Sequence, residues 1–226
     1  MVDGHSTYVR RRAHRAGRER RRRWWWWRSI CREPTEAPPT PAPAAPTCRL
    51  SASSVKAAPL WFPAYVALGS NLDHPVAQIE RAFVALATLT QSRLISRSRL
   101  YKTQPLGPQD QPEFINAAAG LLTTLSPRQL LVELKRLEHE LGRAQPVVRW
   151  GPRVIDMDLL VHADAQISES DLTVPHPGLP ERNFVLYPLR DIAPELLVPG
   201  HGRVSQLAAR VGSAGLAPLA DAPGGQ

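Results

Sequence analysis

The chain has 226 residues, enough for one domain with a tail, and its formal net charge is +8. Residues 1–60 hold 13 Lys and Arg against 4 Asp and Glu, whereas residues 61–226 hold 15 against 16. The body therefore has no positive excess with which to bind a nucleic acid. Cys31 and Cys48 both precede residue 61, and no apolar run approaches the roughly 18 residues that span a bilayer, which excludes a disulfide framework, a cysteine metal cluster and a membrane helix from the body.

The first 60 residues predict a disordered extension rich in Arg, Trp and Pro. They run from an arginine cluster, RRRAHRAGRERRRR, through WWWW to a proline-rich stretch, EPTEAPPTPAPAAPT. Like charges repel one another and proline favours extended conformations, so neither part builds a packed core. A secretory signal is excluded because no apolar segment follows the arginines. A nucleic-acid-binding arm over residues 10–32, an Arg-rich targeting peptide and an extension without function remain as alternatives.

The body begins at about residue 61 with a strand, a helix and a second strand. AYVALGS (64–70) is a short apolar strand, and the helix that follows has Asp73 as its predicted cap and Pro75 in its first turn. The apolar stripe of this helix comprises Val76, Ile79, Phe83, Leu86 and Leu89. RLISRSRLY (93–101) alternates like a strand, and the polar, proline-rich segment 102–113 predicts a loop.

The second half of the body continues with strands and helices. FINAAAGLLTTL (114–125) predicts a strand, and Ser126-Pro127 opens a second helix that closes at Gly142, a residue type favoured after a helix C-terminus. The apolar stripe of that helix comprises Leu130, Leu134, Leu137 and Leu141. A loop over 143–153 leads into the strand VIDMDLLVH (154–162), and residues 172–189 predict a short strand and a third helix.

The order of these elements predicts an α+β fold. Strands and helices interleave without a regular βαβ repeat, which favours helices packed on a mostly antiparallel sheet. We therefore expect one folded domain over residues 61–211, followed by a flexible C-terminal tail over 212–226.

Two aspartates lie one residue apart within the last apolar strand. Side chains alternate across a strand, so Asp156 and Asp158 share one face, while Ile155, Met157 and Leu159 face the core. Two carboxylates about 7 Å apart along the chain can converge on one hard cation. Mg²⁺ commonly takes one or two carboxylates and fills its shell with water and phosphate oxygens. A solvated strand face that carries two Asp is the alternative for so short a pattern.

The loop before that strand carries three arginines, Arg143, Arg149 and Arg153, and the sequence Trp150-Gly151-Pro152. Guanidinium groups offer forked donors to phosphate oxygens, so this set suits polyphosphate binding, with ordinary salt bridges as the alternative. A Gly-Pro in a long loop is consistent with a lid that excludes water. The sequence contains neither a Walker A motif nor GxGxxG, so side chains and metal would hold any nucleotide.

Four segments in one collinear order resemble the 6-hydroxymethyl-7,8-dihydropterin pyrophosphokinase family of the folate pathway. They are YVALGSN (65–71), TQPLGPQDQPEFINAA (103–118), ELGRAQPVVRWGPRVIDMDLL (140–160) and LTVPHPGLPERNFVLYPL (172–189). The resemblance implies transfer of diphosphate from ATP to a pterin alcohol, with two Mg²⁺ ions and ATP as co-substrate. It also implies an α/β/α sandwich with a ferredoxin-like core, and mobile loops around Asn71, 104–114 and 143–153.

The resemblance assigns roles to individual residues. Asp156 and Asp158 match the Mg²⁺ ligands and, together with Arg143 and Arg153, form the catalytic set. The nucleotide-binding residues that it implies are Glu138, Arg143, Trp150, Arg153, His176 and Arg182. The pterin-binding residues that it implies are Thr103, Leu106, Phe114, Asn116 and Phe184. The residue types support the last set independently, because a flat heterocycle needs aromatic faces and an amide that both donates and accepts hydrogen bonds.

This sequence departs from the family pattern at two positions. Gln145 stands where some members carry a further arginine, which bears on one phosphate contact. Gln104 stands where proline is frequent, which bears on the stiffness of the second loop. The histidines outside the motifs (His74, His139, His162 and His201) are predicted to lie on the surface.

Two other classes of function fit parts of the sequence. Gly69-Ser70 followed by Asp-x-Asp is typical of nucleotidyltransferases, although 86 positions separate Ser70 from Asp156 here. A basic RNA- or DNA-binding protein would act through residues 10–32. We expect a cytoplasmic, monomeric enzyme that acts on small molecules, without a membrane or a nucleic acid as a partner of the folded domain.

Overall fold

The structure, a computed structural model, describes residues 58–143 and 151–220. By its internal contacts the chain divides into Met1–Ser54 and Val55–Gln226, and every described residue belongs to the second unit. The predicted extension therefore lies outside the described residues, except for residues 58–60, which are exposed and have no regular secondary structure.

The described residues form ten strands, four α-helices and one 3-10 turn. The first half contains β1 (Phe62–Ser70), α1 (Pro75–Ala87), β2 (Ser92–Arg97), β3 (Tyr101–Thr103) and β4 (Phe114–Thr123). The middle contains α2 (Pro127–Glu140), β5 (Asp156–His162), β6 (Ile167–Ser168) and β7 (Thr173–Val174). After a 3-10 turn at Leu179–Glu181 come α3 (Asn183–Ile192), β8 (Leu197–Val198), β9 (Gly202–Arg203), α4 (Val204–Val211) and β10 (Leu216–Pro218).

One antiparallel sheet of six strands organises the domain. Five of its strands lie in the order β10-β3-β4-β1-β5, and β2 pairs with the half of β4 that β3 leaves free. The long strands β1 and β4 are central, and β5 and β10 form opposite ends of this order. Two short antiparallel pairs, β6–β7 and β8–β9, lie outside this sheet.

Helices cover both faces of the sheet because side chains along the central strands alternate between two apolar clusters. Val66 and Leu68 belong to the cluster that α1 and α2 complete with their apolar stripes. Ala67 and Ala118 belong to the cluster that α3 and α4 complete. The predicted α/β/α sandwich with a mostly antiparallel sheet is thereby confirmed. A cavity lies at the edge of the sheet next to the start of α3.

The segment 93–101, predicted as one strand, forms parts of two strands, β2 and β3. The pairing of β2 with β4 ends at Arg97, which lies opposite Ala119. The backbone N–H of Ser98 then donates to Ala118 O at 2.9 Å outside either ladder, and regular pairing resumes at Tyr101. The single predicted strand is therefore wrong in detail, because the chain shifts along β4 between its two halves.

The starts of the first two helices differ in how well the sequence predicts them. The residue that precedes α1 is His74 and not Asp73, and neither a side-chain cap from His74 nor an acidic first turn is present there. The start of α2 is as predicted, with a capping box between Ser126 and Gln129. The predicted cap at Asp73 is thus wrong, while the predicted opening of α2 is confirmed.

Three features of the second half differ from the sequence predictions. Helix α4 was not predicted. Leu216–Pro218, within the segment predicted to be a flexible tail, forms β10 at the edge of the sheet. His162, predicted to lie on the surface, is buried, and its Nε2 lies 3.0 Å from Leu125 O. A buried backbone carbonyl that needs a partner explains why this histidine is inside.

Candidate active site

A cavity of about 450 Å³ lies where β1 ends and the antiparallel strands β4 and β5 begin, beside the start of α3. This volume is within the range of small-molecule sites. The cavity brings together ten of the residues singled out from the sequence: Thr103, Leu106, Phe114, Asn116, Arg153, Asp156, Asp158, His176, Arg182 and Phe184. Glu138 and Arg143 lie behind its charged end, and Trp150 and Gln145 lie outside the described residues.

Gly69 forms the floor between the two ends of the cavity. It pairs with Asn116 of β4 on one side and with Asp156 of β5 on the other. A Cβ at Gly69 would lie 3.6 Å from Asn116 Oδ1 and 4.0 Å from Asp156 Cβ, so a side chain here would enter the space between them. The sequence reasoning missed this role, although a glycine inside a strand often marks such a close approach.

One end of the cavity is neutral. Asn116 and Thr103 are each 7% exposed, and Asn116 Nδ2 donates to Thr103 Oγ1 at 2.9 Å. Phe114 pairs with Thr103 across β3 and β4, and Phe184 enters from α3. Together they give a slot with two aromatic side chains and a fixed amide, which suits a flat polar ring.

The loop at the neutral end is tied at its base. Gln104 donates from Nε2 to Glu113 Oε1 at 2.8 Å. Lys102 forms an ion pair with the same carboxylate at 2.8 Å. Leu106 remains 49% exposed at the cavity rim, where a bound ring could cover it.

The other end of the cavity is charged. Asp156 pairs with Arg143 at 2.5 Å and also with Arg153, and its side chain is 18% exposed. Burial alone would raise the pKa of Asp156, but the charges of Arg153 and Arg143 outweigh it and hold the pKa below its ordinary value. Burial, and then the negative charge of Asp156, raise the pKa of Asp158. The pKa values of the two carboxyl groups are therefore shifted in opposite directions, although the two side chains are neighbours on one strand face.

Glu138 supports the charged end from α2. Its side chain is 3% exposed, and Oε1 accepts the backbone N–H of Met157, the residue between the two aspartates, at 2.6 Å. Its carboxylate also pairs with Arg143 at 2.6 Å and with Lys135 at 2.9 Å. Burial raises the pKa of Glu138 in spite of these partners. Its position favours a role in holding β5 and Arg143, while its predicted contact with a nucleotide stays a prediction.

His176 and Arg182 are placed by the turn between them. The backbone N–H of Gly178 donates to His176 Nδ1 at 3.0 Å, so a neutral ring carries its proton on Nε2. Burial lowers the pKa of His176. A Cβ at Gly178 would lie 2.6 Å from the Arg182 guanidinium, so a side chain here would displace that group from the turn.

Asn71 is a second residue that the sequence reasoning did not assign to the site. It is 2% exposed, its Oδ1 accepts the backbone N–H of Arg153 at 2.8 Å, and its Nδ2 donates to Pro112 O at 3.1 Å. It therefore links the segment that carries Arg153 to the loop at the neutral end. Its position directly after a strand within the first motif was the available signal.

The donor set fits Mg²⁺. Within residues 58–143 and 151–220, no group of three or more His, Cys, Asp or Glu side chains could hold a metal, so Asp156 and Asp158 would act with water and phosphate oxygens. Arg143 Nε is buried and has no hydrogen-bond partner among the described residues. A phosphate oxygen would satisfy this donor.

This fold and this cavity define a transferase that handles phosphates beside a small heterocycle. The family model for 7,8-dihydro-6-hydroxymethylpterin-pyrophosphokinase matches residues 65–194, and the chain belongs to this family. It is 44% identical over 144 residues to the 2-amino-4-hydroxy-6-hydroxymethyldihydropteridine pyrophosphokinase of Haemophilus influenzae, and 46% identical over 145 residues to that of Pseudomonas aeruginosa. Each match covers 64% of this chain and 89% of the relative.

Solved structures share the fold. Wild-type Plasmodium falciparum HPPK-DHPS with pterin and p-hydroxybenzoate has a TM-score of 0.51 and 16% identity, over 68% of this chain and 44% of that chain. The same protein with SDX-DHP has a TM-score of 0.52 and 16% identity, over 67% and 44%. This chain thus spans less than half the length of those structures, and the likeness confirms the fold alone.

Proposed function

We propose that the protein transfers the diphosphoryl group of ATP to 6-hydroxymethyl-7,8-dihydropterin, giving the pterin diphosphate and AMP. The observation that carries the proposal is a cavity with one neutral, aromatic end and one charged end, with Gly69 between Asn116 and Asp156. Membership of the pyrophosphokinase family supports this choice of substrates.

The neutral end is assigned to the pterin. Phe114 and Phe184 offer apolar faces to the ring, and Asn116 is held by Thr103 with its Oδ1 near Gly69. A site built to hydrogen-bond polar ring atoms rejects rings that lack them, because its buried groups are then left without partners. Thr103, Leu106, Phe114, Asn116 and Phe184 are the proposed substrate-binding residues.

The charged end is assigned to the phosphates of ATP. Arg143, Arg153 and Arg182 supply guanidinium groups, and neutral His176 offers an Nε2–H donor. Asp156 and Asp158 are the proposed Mg²⁺ ligands, and two ions are expected when ATP is bound. Bound Mg²⁺ supplies charge neutralisation to the phosphate oxygens. Trp150 and Glu138 complete the proposed nucleotide-binding set.

The reaction needs positioning more than bond-making by the protein. The hydroxymethyl oxygen forms a bond to the β-phosphorus, the bond from that phosphorus to the α–β bridging oxygen breaks, AMP leaves with that oxygen, and the hydroxyl proton passes to water. The cavity holds the two substrates on either side of Gly69. A reaction between two molecules thereby becomes a step within one complex. Arg153 and Arg143 stabilise the charge that moves onto the departing oxygens.

The nucleotidyltransferase alternative is not favoured. Ser70 is fully buried, and it alternates with Gly69 along β1, so it faces away from the strand face that carries Asp156. The alternative of a nucleic-acid-binding arm concerns residues 10–32, outside the described residues.

Several finer statements stay predictions. They are the Mg²⁺ dependence, the cytoplasmic location, the monomeric state, and the absence of a nucleic-acid partner for the folded domain. Among the described helices, none is both long and apolar enough to cross a membrane.

The product of the reaction tests the proposal. Incubation of the full chain with Mg-ATP and the reduced pterin should yield AMP and the pterin diphosphate in equal amounts. Release of pyrophosphate would indicate nucleotidyl transfer, and ADP would indicate transfer of one phosphoryl group. Either result, or no pterin-dependent turnover, would contradict the proposed function.

A further inference from the structure

The last strand of the described chain braces the neutral end of the cavity from outside. In β10, Leu216 pairs with Thr103, Ala217 with Lys102 and Pro218 with Tyr101. Beyond it, the backbone N–H of Leu219 donates to Leu100 O at 2.8 Å, and the Leu219 side chain packs against the core. Residues 213–219 therefore cover the outer edge of β3 along its whole length.

The same segment is also tied to the opposite wall of the cavity. Asn183, the first residue of α3, donates from Nδ2 to Ala214 O at 2.8 Å. Its chain neighbours Arg182 and Phe184 both line the cavity. Residues 213–219 thus connect the strand that carries Thr103 to the helix start that carries Phe184.

We propose that residues 213–219, which we name the C-terminal strap, position the pterin end of the cavity. This inference rests on the proposed function. Strand β3 has three residues, and on its other side it pairs only with the first residues of β4. The strap fixes Thr103, the acceptor that sets the direction of the Asn116 amide. Without the strap, the free-energy cost of ordering this wall would reduce the affinity for the pterin.

The proposed effect is selective because of the order of the sheet. The strap lies at one end of the order β10-β3-β4-β1-β5, and the aspartates lie on β5 at the other end. Arg143 and Glu138 contact β5 and not the strap. Arg182, next to Asn183, is the one proposed phosphate-binding residue near the strap, and Arg143, Arg153 and the aspartates lie away from it. Loss of the strap should therefore weaken pterin binding far more than the binding of Mg-ATP.

Two shortened forms of the full chain test the proposal. One ends at Gly212 and lacks the strap; its matched control ends at Ala220 and keeps it. We expect the first to raise the KM for the pterin about tenfold, with the Kd for Mg-ATP within about twofold, and the control to change neither. An unchanged pterin KM, or an equal loss of both affinities, would overturn the proposal.

Asn183→Ala tests the strap in a chain of full length. The variant loses one exposed hydrogen bond, so we expect the pterin KM to rise about threefold at an unchanged melting temperature. Gln206→Ala, at an exposed amide of α4, is the control. If the chain that ends at Gly212 does not fold, an unchanged pterin KM in Asn183→Ala overturns the proposal. An intact chain that makes no AMP contradicts the proposed function instead, before any variant is compared.

Discussion

The two ends of the cavity are held in different ways. At the neutral end, Asn116 Nδ2 donates to Thr103 Oγ1, and the surrounding strands fix both residues. At the charged end, Asp156 is held by two guanidinium groups, while Arg143 Nε still lacks a partner among the described residues. The neutral end is therefore preformed for a ring. At the charged end the arginines are paired with Asp156, so they must exchange this carboxylate for phosphate oxygens when a nucleotide binds.

This difference separates recognition from chemistry. A preformed neutral slot chooses a substrate through shape and hydrogen bonds, and its loss should raise KM. Arginines that stabilise moving charge contribute most in the transition state, and their loss should lower kcat. Variants at the neutral end should consequently change KM, and variants at the charged end should change kcat.

The aspartates should show the largest effects. Asp156→Asn and Asp158→Asn are each expected to lower turnover by at least about a thousandfold, because each removes a carboxylate from the proposed metal site. Thermal unfolding should then tell them apart. Asp156→Asn takes the charged partner from Arg153 and one of two from Arg143, which keeps Glu138, and should cost roughly 2 kcal/mol of stability, whereas Asp158→Asn relieves repulsion and should not lower the melting temperature.

Asp164→Asn is the control for both variants, because Asp164 is exposed beyond the other end of β5. It should retain full turnover. Turnover near that of the unchanged chain in either Asp156→Asn or Asp158→Asn would exclude the proposed metal role.

Arg153→Ala should fall next in size. We expect kcat to drop by roughly two to four orders of magnitude, while the Kd for Mg-ATP rises about tenfold at most. The two hydrogen bonds between the Arg153 backbone and Asn71 do not involve the side chain of Arg153 and should survive. Arg136→Ala, at an exposed arginine of α2, is the control. Weak ATP binding with an intact single-turnover rate at saturation would make Arg153 a binding residue only.

Asn116→Ala should have a smaller effect, confined to the neutral end. Removal of the amide leaves polar ring atoms without partners, so the pterin KM should rise about ten- to a hundredfold. The Kd for Mg-ATP, measured without pterin, should stay within about twofold. A comparable loss of ATP affinity would show that the two ends are not independent.

Deletion of residues 1–57 should have the smallest effect. The described apolar clusters and the cavity lining all come from residue 64 onward. We expect kcat and both KM values to stay within about twofold. A large loss of activity would assign the extension to the catalytic domain.

Much of the site was predictable because its residues follow short-range rules. The alternation of side chains along a strand placed Asp156 and Asp158 on one face, and Met157 is fully buried on the other. The roles of Gly69 and Asn71 were not predictable in this way. Each depends on partners on other elements, which only the register of the sheet and the path of the loops bring together.

The strand β10 shows the same limit for the fold. Its sequence, Leu-Ala-Pro, is short and carries a proline, and nothing local predicts a strand there. It forms because β3 offers a free edge, and an edge strand tolerates proline. The wrong cap at Asp73 has a similar origin, since the left-handed backbone of Asp73 and His74 depends on the loop that precedes α1.

The fate of the β- and γ-phosphates tests the central claim most directly. Two reactions of the full chain would use ATP labelled either at the β- or at the γ-phosphorus, with Mg²⁺ and the reduced pterin. The account predicts that both labels appear in the pterin product and that unlabelled AMP is released. A product that carries the γ-label alone, or labelled pyrophosphate free in solution, would contradict transfer of the diphosphoryl group.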